Sequence, residues 1–442
     1  MLILPFINDK AQGILIKQAI TSTFAPASAP IREKELRILR KYKNFFRVLS
    51  VSLFTLTIPL FGAIGYLGRA LPDFYHGGDL TLFSIASRPY IQADETSTAY
   101  GGAQVSSAKS NAVLLNLELF GFVPIKTVTV QQADTVMLAP CGTPFGIKMF
   151  TDGVLVVGMS NLETDMGSAN PAKDAGLEIG DILCTLDGQK VTSNEDVSRI
   201  VSSSGGRQIA CTYRRDGEYR STFLTPLQSR AGTTYRIGIW VRDSTAGIGT
   251  LTYCNISKKT FAGLGHGVCD VDTGKLMPLM SGEIVDVSIN EIVKGKPGSP
   301  GELRGIFLED SLLGELTDNC ETGVFGDLQA DCSGLSEIPA AFSQEVMEGP
   351  AQILTTISGN TPQHFDIVID KVSFSQSNLS KNLVIRITDP VLLEKTGGII
   401  QGMSGSPIIQ NGKLVGAVTH VLVNDPTRGY GIFIENMLDA AE

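Results

Sequence analysis

An uncharged apolar run lies near the N-terminus of the chain. Val48 to Gly68 contains no Asp, Glu, Lys or Arg over 21 positions. As a helix it would extend about 31 Å, close to the roughly 30 Å hydrocarbon core of a bilayer. It exceeds the usual apolar core of a cleaved signal peptide, so we predict a retained transmembrane anchor over residues 48–68. A buried core helix is the alternative, but it would normally carry a more polar stripe.

Beyond the anchor, the hydrophobic pattern becomes that of a β protein. From Tyr235 onward, short alternating or apolar runs are separated by glycine-rich turns, which predicts a barrel or a pair of barrels. Residues 69–108 are rich in Gly, Ser, Ala and Thr with weak periodicity, which is typical of a flexible tether. The predicted divisions are a basic segment 1–47, the anchor 48–68, the tether 69–108, a β segment with a compact domain 109–228, and a larger module 229–442.

Charge is distributed unevenly about the anchor. The chain carries 36 Lys and Arg against 45 Asp and Glu, a net charge of −9. Residues 1–47 hold nine of the basic residues and only three acidic ones, so the remainder carries −15. The positive-inside rule therefore places residues 1–47 in the cytoplasm and everything after the anchor outside it. The acidic excess argues against a nucleic-acid partner, which would require a basic surface.

A motif within residues 142–227 identifies a smaller domain. Ala175-Gly176-Leu177, Gly180-Asp181-Ile182-Leu183 and Asp187-Gly188 follow one another at the spacing of a bacterial PDZ domain, which this region resembles. PDZ domains bind an extended peptide at a sheet edge and capture its terminal carboxylate with backbone N–H groups. The resemblance implies that the carboxylate loop comprises Phe145, Gly146 and Ile147, with a peptide end as the ligand. A β domain used only as a spacer is the alternative.

Two glycine-flanked polar residues are candidates for chemistry. Ser404 lies within Gly402-Met403-Ser404-Gly405-Ser406-Pro407, where glycines would allow a substrate to approach a hydroxyl on a tight turn. Serine also needs a base, and His266 is one of only four histidines and lies between Gly265 and Gly267. His420 follows on the strand after Ser404, where a structural role or a place in the pocket wall is expected.

The combined motifs resemble a known peptidase family. The segment around Ser404 is similar to the nucleophile region of chymotrypsin-like serine proteases, although Met403 replaces the acidic residue often found there. Together with the anchor, the PDZ motif, the Gly-His-Gly element and Ile387-Thr388-Asp389-Pro390, the chain resembles the stage IV sporulation protein B peptidases over roughly residues 40–442. The resemblance implies a mainly β fold, with a PDZ domain and a chymotrypsin-like double β-barrel after one transmembrane helix.

The family pattern also implies roles for individual residues. Ser404 would be the nucleophile, His266 the general base and Asp389 the acid that orients it, with the N–H groups of Gly402 and Ser404 forming the oxyanion hole. No metal or other cofactor is expected. Asp389 lies only 15 residues before Ser404, closer than in typical double barrels, so other acids remain open for its role. These rivals are Asp286, Asp310 and Asp366.

The resemblance implies a membrane-anchored serine endopeptidase with its PDZ and peptidase domains outside the cytoplasm, between the two forespore membranes. Its substrate would be a membrane-bound regulator of an intramembrane protease in sporulation signalling, leading to sigma-factor activation. The resemblance also implies self-cleavage that releases the folded domains from the anchor. The alternatives are a catalytically inactive PDZ scaffold and an esterase for small molecules.

The seven cysteines do not form a recognisable framework. No Cys-x-x-Cys pair occurs, which disfavours a zinc site. The odd number leaves at least one thiol unpaired within the chain, and one candidate pair is Cys320 with Cys332 across an export-side loop. Spacing alone does not define the connectivity.

Overall fold

The computed structural model describes residues 33–76, 91–94, 113–131, 134–230, 232–375 and 377–441. Most of the predicted basic segment and most of the predicted tether lie outside these residues. The chain divides into two compact units, Met1–Tyr66 and Leu67–Glu442.

The first unit is represented by a long apolar helix. Helix α1 spans Glu33–Ala70, and Lys41–Arg69 within it is long and apolar enough to cross a membrane, with a mean hydropathy of 1.9. Its large side chains are exposed, as at Phe54 (68%) and Phe61 (72%), so it is not a buried core helix. The hydroxyls of Ser50 and Thr55 donate to carbonyls three residues earlier, which satisfies them without a polar neighbour. The predicted anchor segment is therefore a helix of suitable length and composition.

The other helices of the described residues are short. They are α2 (Pro171–Asp174), α3 (Asn194–Ser203), α4 (Pro390–Thr396) and α5 (Ile434–Ala440), with single 3₁₀ turns at Ser343–Glu345 and Leu379–Lys381.

The strands of the N-terminal half, in chain order, are β1 (Phe74–His76), β2 (Ile91–Asp94), β3 (Val113–Leu119), β4 (Val123–Gln131), β5 (Met137–Pro140), β6 (Pro144–Met159), β7 (Leu162–Thr164), β8 (Gly167–Ala169), β9 (Ile182–Leu186), β10 (Gln189–Lys190), β11 (Ile209–Arg215), β12 (Glu218–Leu224) and β13 (Leu227–Gln228). Those of the C-terminal half are β14 (Tyr235–Arg236), β15 (Ile239–Asn255), β16 (Thr260–Gly263), β17 (Leu279–Val293), β18 (Glu302–Cys320), β19 (Gly323–Leu328), β20 (Ile338–Pro339), β21 (Gly349–Thr355), β22 (Gln363–Val372), β23 (Leu383–Ile387), β24 (Pro407–Gln410), β25 (Lys413–Leu422) and β26 (Asp425–Phe433).

Two six-stranded barrels form the centre of the second unit. In the first, β6, β17, β18, β19, β16 and β15 pair in sequence, and β15 pairs back to β6 to close the ring. The second is a closed barrel of β21, β22, β23, β26, β25 and β24. Phe145 and Phe261 fill the first interior, while Ile353 and Ile385 fill the second. This architecture confirms the predicted double β-barrel.

The PDZ region shares a strand with the first barrel. β15 pairs with β6 along almost its whole length, whereas β17 pairs with its first half and β9 pairs with its second half at Val154 and Leu155. Strands β9 to β12 and helices α2 and α3 enclose a separate core that includes Val197 and Ile200. Strand β6 therefore belongs both to the PDZ region and to the wall of the first barrel.

A third, smaller sheet precedes the barrels. Its strand order is β1, β4, β3, β2, and Leu115, Leu117 and Val128 form a buried cluster with Leu71 and with Tyr75 of β1. Strands β1 and β2 fall within residues 69–108, so part of the stretch predicted as a tether is paired in this sheet.

Candidate active site

A cavity of about 800 Å³ lies where the two barrels meet. The loop after β16 contributes His266, the loop before β24 contributes Gly402 and Ser404, and β25 contributes His420. Ser404 and His266, which are 138 positions apart, therefore share one solvent-accessible cavity. Strand pairing within each barrel positions the loops that carry them.

Only one of the two neighbouring serines is accessible from this cavity. Ser404 is half-buried, and its hydroxyl donates to the carbonyl of Thr419 at 2.7 Å. Ser406 is fully buried, and its hydroxyl bonds to the carbonyl of Met403 and the hydroxyl of Thr355 at 2.7 and 2.8 Å. A substrate can reach Ser404 but not Ser406, which fits the predicted assignment of the nucleophile.

The backbone around Ser404 is held in place through its carbonyl groups. The carbonyl of Gln401 accepts from the N–H of Leu303 at 2.8 Å, and the carbonyl of Met403 accepts from that of Ser406 at 3.0 Å. Because the C=O and N–H of a trans peptide point in opposite directions, these bonds turn the N–H groups of Gly402 and Ser404 the other way. Among the described residues neither of those two N–H groups has a hydrogen-bond partner. They are available to a developing oxyanion.

Thr250 of β15 connects the nucleophile loop to the histidine loop. Its hydroxyl donates to the carbonyl of Gly402 at 2.7 Å, and its N–H donates to that of Ser404 at 2.9 Å. Its own carbonyl accepts from the N–H of Leu264 at 3.3 Å, two residues before His266. The hydroxyl of Thr252 holds the carbonyl of Gly405 at 2.8 Å. These buried contacts set the spacing of the two loops, and no local pattern in the sequence marks either threonine.

The ring of His266 is oriented by its own backbone. Its Nδ1 lies 2.9 Å from the carbonyl of Gly267, which acts as acceptor when Nδ1 carries the proton. In that tautomer Nε2 is free to accept a proton from a nucleophile. Burial lowers the pKa of His266 below its usual 6.5, and the bond to Gly267 opposes this shift. A neutral imidazole at physiological pH is the form that a general base needs.

His420 stacks against His266. The ring centroids are 4.8 Å apart with the planes inclined at 36°. Burial, then His266 and Lys381, lower the pKa of His420 to about 4, so His420 is neutral at physiological pH. Its Nδ1 is buried without a hydrogen-bond partner among the described residues. Part of the wall around the candidate base is therefore a second, uncharged imidazole.

The structure places Asp389 away from these side chains. Its carboxylate caps helix α4 by accepting the N–H groups of Val391 and Leu392 at 2.9 and 3.0 Å, and it does not line the cavity. The partner of His266 Nδ1 is the Gly267 carbonyl, and the predicted His266–Asp389 contact is not among the hydrogen bonds of the described residues. Among the rivals, Asp286 accepts from the N–H of Val287, Asp366 accepts from the side chain of Gln352, and Asp310 lies on β18. Within the described residues Glu321 is the one carboxylate that lines the cavity.

The residues predicted to form the peptide-binding loop of the PDZ region lie in a strand. Phe145, Gly146 and Ile147 lie within β6, with β15 on one side and β17 on the other. Gly146, for example, is opposite both Ile248 and Val285, so this backbone forms barrel wall instead of an open carboxylate loop. Beside helix α3, a cavity of about 400 Å³ is lined by that helix and residues 234–241.

Comparison with protein families agrees with this geometry. Residues 233–438 match the family described as SpoIVB peptidase S55, and residues 145–224 match the PDZ domain family. The chain carries a PDZ domain and an S55 peptidase domain. The S55 match supports serine peptidase activity, and the PDZ match supports binding of proteins or peptides.

Curated relatives resemble only part of the chain. A Neisseria meningitidis protein named as a zinc metalloprotease is 26% identical over 168 residues, which are 36% of this chain and 35% of that protein. A Bartonella henselae protein named likewise is 33% identical over 100 residues, 22% of this chain and 28% of its own length. This chain thus spans about a third of the length of these relatives. Its described residues contain no group of three or more His, Cys, Asp or Glu that could hold a metal ion.

Two solved structures are similar to parts of the chain. The PDZ domain of an SdrC-like protein from Listeria monocytogenes is 24% identical and covers 20% of this chain and 87% of that one, with a TM-score of 0.17. A protease of M. tuberculosis in its active form is 14% identical and covers 44% of this chain and 72% of that one, with a TM-score of 0.24.

The lowered pKa of His266 predicts how the rate of serine labelling depends on pH. His266 must be neutral to accept a proton, and burial lowers its pKa below 6.5. The charged or titratable groups that share its cavity are His420, Lys381, Glu321 and Cys269. We expect the second-order rate of serine labelling by a fluorophosphonate to be constant above about pH 7. Below the lowered pKa the rate should fall about tenfold per pH unit.

This profile should be measured on the full chain in detergent between pH 4.5 and 9. His420→Gln should leave the shape of the curve unchanged and move its midpoint only slightly, because neutral His420 adds no charge near pH 6. A midpoint above 6.5 would contradict the expectation, since it would require a carboxylate that stabilises the charged ring.

Proposed function

We propose that the chain is a membrane-anchored serine endopeptidase with Ser404 as nucleophile and His266 as general base. The observation that carries this proposal is an accessible serine whose loop presents two unpartnered N–H groups, in a cavity that also contains a neutral histidine. This combination supplies the nucleophile, the base and the oxyanion donors of acyl transfer.

The proposed reaction begins when a peptide enters the cavity and the Ser404 hydroxyl leaves the carbonyl of Thr419 to face His266. His266 takes the hydroxyl proton as Ser404 attacks the peptide carbonyl, and the resulting oxyanion accepts hydrogen bonds from the N–H groups of Gly402 and Ser404. His266 then donates the proton to the leaving amine. A water molecule, deprotonated by the same histidine, hydrolyses the acyl-enzyme.

In this proposal the Gly267 carbonyl orients the His266 ring, which is the role that was predicted for Asp389. A carbonyl fixes the tautomer through Nδ1 as a carboxylate would, but it stabilises the imidazolium less because it carries no full charge. Asp389 then acts through the stability of helix α4, where removal of a cap typically costs about 1 kcal/mol.

The wider biological role follows from the family resemblance and from the anchor. The S55 and PDZ domains would lie outside the cytoplasm, attached by helix α1, with residues 1–47 inside. The proposed substrate is the extracytoplasmic part of a membrane-bound regulator in sporulation signalling, and the chain would also cleave itself near the anchor. The PDZ domain would bind a peptide end from a substrate or partner. Its cavity beside helix α3 is the site we propose for this in place of residues 145–147.

One observation favours a second candidate function. The Ser404 hydroxyl bonds to the carbonyl of Thr419, not to His266, and an inactive PDZ scaffold could retain this arrangement indefinitely. In a competent enzyme the Ser404 hydroxyl would break its bond to the Thr419 carbonyl when substrate or a labelling reagent binds.

A labelling experiment separates these two functions. The full chain in detergent should be treated with a fluorophosphonate, digested, and mapped by mass spectrometry. We expect a single adduct on Ser404, and at least a 100-fold lower labelling rate in His266→Ala. Folded protein that remains unlabelled, or that is labelled on several exposed serines at similar rates, would support the scaffold.

A further inference from the structure

Three cysteine thiols lie together in the first barrel. The Sγ atom of Cys254, near the end of β15, lies 3.2 Å from that of Cys141 and 3.0 Å from that of Cys332. Cys141 and Cys254 are buried, whereas Cys332 is half-buried and accessible from solvent. None of the three lines the cavity of Ser404, and all are free thiols.

The spacing of these sulfur atoms favours a covalent bond between them over a shared metal. Two thiolates on one tetrahedral zinc, each about 2.3 Å from it, would lie about 3.8 Å apart. The observed separations of 3.0 and 3.2 Å are shorter than that. To form a disulfide, two of these sulfur atoms need to move only slightly closer together. The strands and the loop that carry them are already in contact.

We propose that Cys254 and Cys332 are a redox modification site at which a disulfide reagent introduces an intramolecular cross-link. Cys332 is the favoured partner because of strand register. Cys254 is opposite Ala139, which places Cys141 at a diagonal position on the neighbouring strand. Diagonal neighbours have Cα atoms about 7–8 Å apart, at the limit beyond which a disulfide requires backbone movement. Cys332 lies between β19 and β20, outside any strand, where the backbone can adjust.

The proposed reaction is thiol–disulfide exchange in two steps. The thiolate of Cys332, the more accessible thiol, attacks a sulfur of a small-molecule disulfide, breaks its S–S bond and releases one thiol. The thiolate of Cys254 then attacks the Cys332 sulfur, and the second thiol leaves. The protein loses two electrons, the reagent gains them, and the two protons of the protein thiols end on the released thiols.

The cross-link would join the strand that supports the nucleophile loop to the segment that connects the two barrels. Cys254 is two residues from Thr252, whose hydroxyl holds the carbonyl of Gly405. Cys332 belongs to the segment that leads from the first barrel to the second. The bond would close a loop between residues 78 positions apart, which restricts the unfolded chain strongly.

The compartment determines when the cross-link forms, and this step rests on the proposed extracytoplasmic location. Cytosolic conditions keep thiols reduced, whereas disulfides persist outside the cytoplasm. The contact with Cys254 and burial raise the pKa of Cys332, so its exchange with a disulfide oxidant is slow at neutral pH and faster at higher pH. The protein would thus acquire this stabilisation only after export.

The test uses the full chain in detergent, incubated with either oxidised glutathione or dithiothreitol at about pH 8.5. Free thiols are then alkylated and the digest is mapped by mass spectrometry. We expect one cross-linked peptide pair, containing Cys254 and Cys332. The thermal midpoint, followed by near-UV circular dichroism, should be roughly 5–10 °C higher in the oxidised sample.

Variants make the assignment specific. Cys332→Ser should abolish both the cross-link and the shift. Cys320→Ser should retain both, because the Cys320 thiol is paired with the hydroxyl of Thr322. Recovery of Cys254 and Cys332 as alkylated thiols after oxidation, or of Cys254 joined to Cys141, would overturn the proposal. Neither readout depends on catalysis, so the outcome is independent of whether Ser404 is an active nucleophile.

Discussion

Replacing Ser404 by alanine is expected to lower the rate of peptide cleavage by four to six orders of magnitude, on the order of what removal of a serine nucleophile costs. The buried carbonyl of Thr419 loses the hydrogen bond from Ser404, so the free energy of unfolding should fall by only about 1 kcal/mol. Cleavage of fluorescent casein by the full chain in detergent measures the first quantity, and thermal unfolding followed by circular dichroism measures the second.

The matched control for this substitution is Ser299→Ala. Ser299 is exposed on the loop between β17 and β18 and does not line the cavity, so its substitution should change neither quantity measurably. Ser406 is unsuitable as a control because its hydroxyl holds the carbonyl of Met403. Full cleavage by the Ser404→Ala variant would show that the activity comes from another residue or from a contaminant.

A second large effect is expected from Gly405→Ala. Gly405 has φ = +96°, a conformation that costs an L-residue about 1–2 kcal/mol. A Cβ at this position would also meet the carbonyl oxygen of Thr250 and lie 2.5 Å from the backbone nitrogen of Leu264. Both obstacles are backbone atoms of the strand and loop that connect Ser404 to His266, so they cannot move away without shifting the site. We expect destabilisation of about 4 kcal/mol or more and at least a 100-fold loss of fluorophosphonate labelling.

Gly412→Ala separates steric conflict from backbone strain. Gly412 has φ = +77° in the turn between β24 and β25, and nothing lies within 4 Å of a Cβ built there. Gly412→Ala should lower the free energy of unfolding by only about 1–2 kcal/mol, the cost of placing an L-residue in this backbone conformation. The labelling rate should not change. Equal thermal midpoints and equal labelling rates for the two variants would refute the view that close backbone packing at Gly405 fixes the active-site loop.

The features that could be predicted from the sequence are those set by nearby residues. Asp187-Gly188 forms the expected turn, with both residues at positive φ, because glycine and aspartate tolerate that conformation. Ser193 caps helix α3 by accepting the N–H of Asp196, as its place before the amphipathic run predicts. The same local rules also identify Asp389 as a helix cap, a role that was not predicted for it. Asp389 followed by Pro390 is typical of a helix N-terminus, and the structure uses Asp389 as the cap of α4.

The composition of the site depends on contacts between distant residues. Phe145 to Ile147 have an apolar pattern that suits either a PDZ loop or a barrel strand, and only pairing with β15 and β17 decides between them. The roles of Thr250 and His420 are likewise not visible in their local sequence. Each depends on a partner more than 100 residues away, at Gly402 and at His266 respectively.

The amino-acid sequence alone is enough to identify the apolar anchor segment, the PDZ motif, the β-rich character of the C-terminal half and the two glycine-flanked residues Ser404 and His266. Periodicity, turn chemistry and motif spacing act over a few residues and can be identified without the fold. Four features are visible only in the folded structure. Strand β6 belongs to two domains, and Asp389 caps a helix. Among the described residues the N–H groups of Gly402 and Ser404 have no partner, and three cysteine thiols lie together. Each of these depends on strand register and barrel closure, which bring together residues that no local pattern relates.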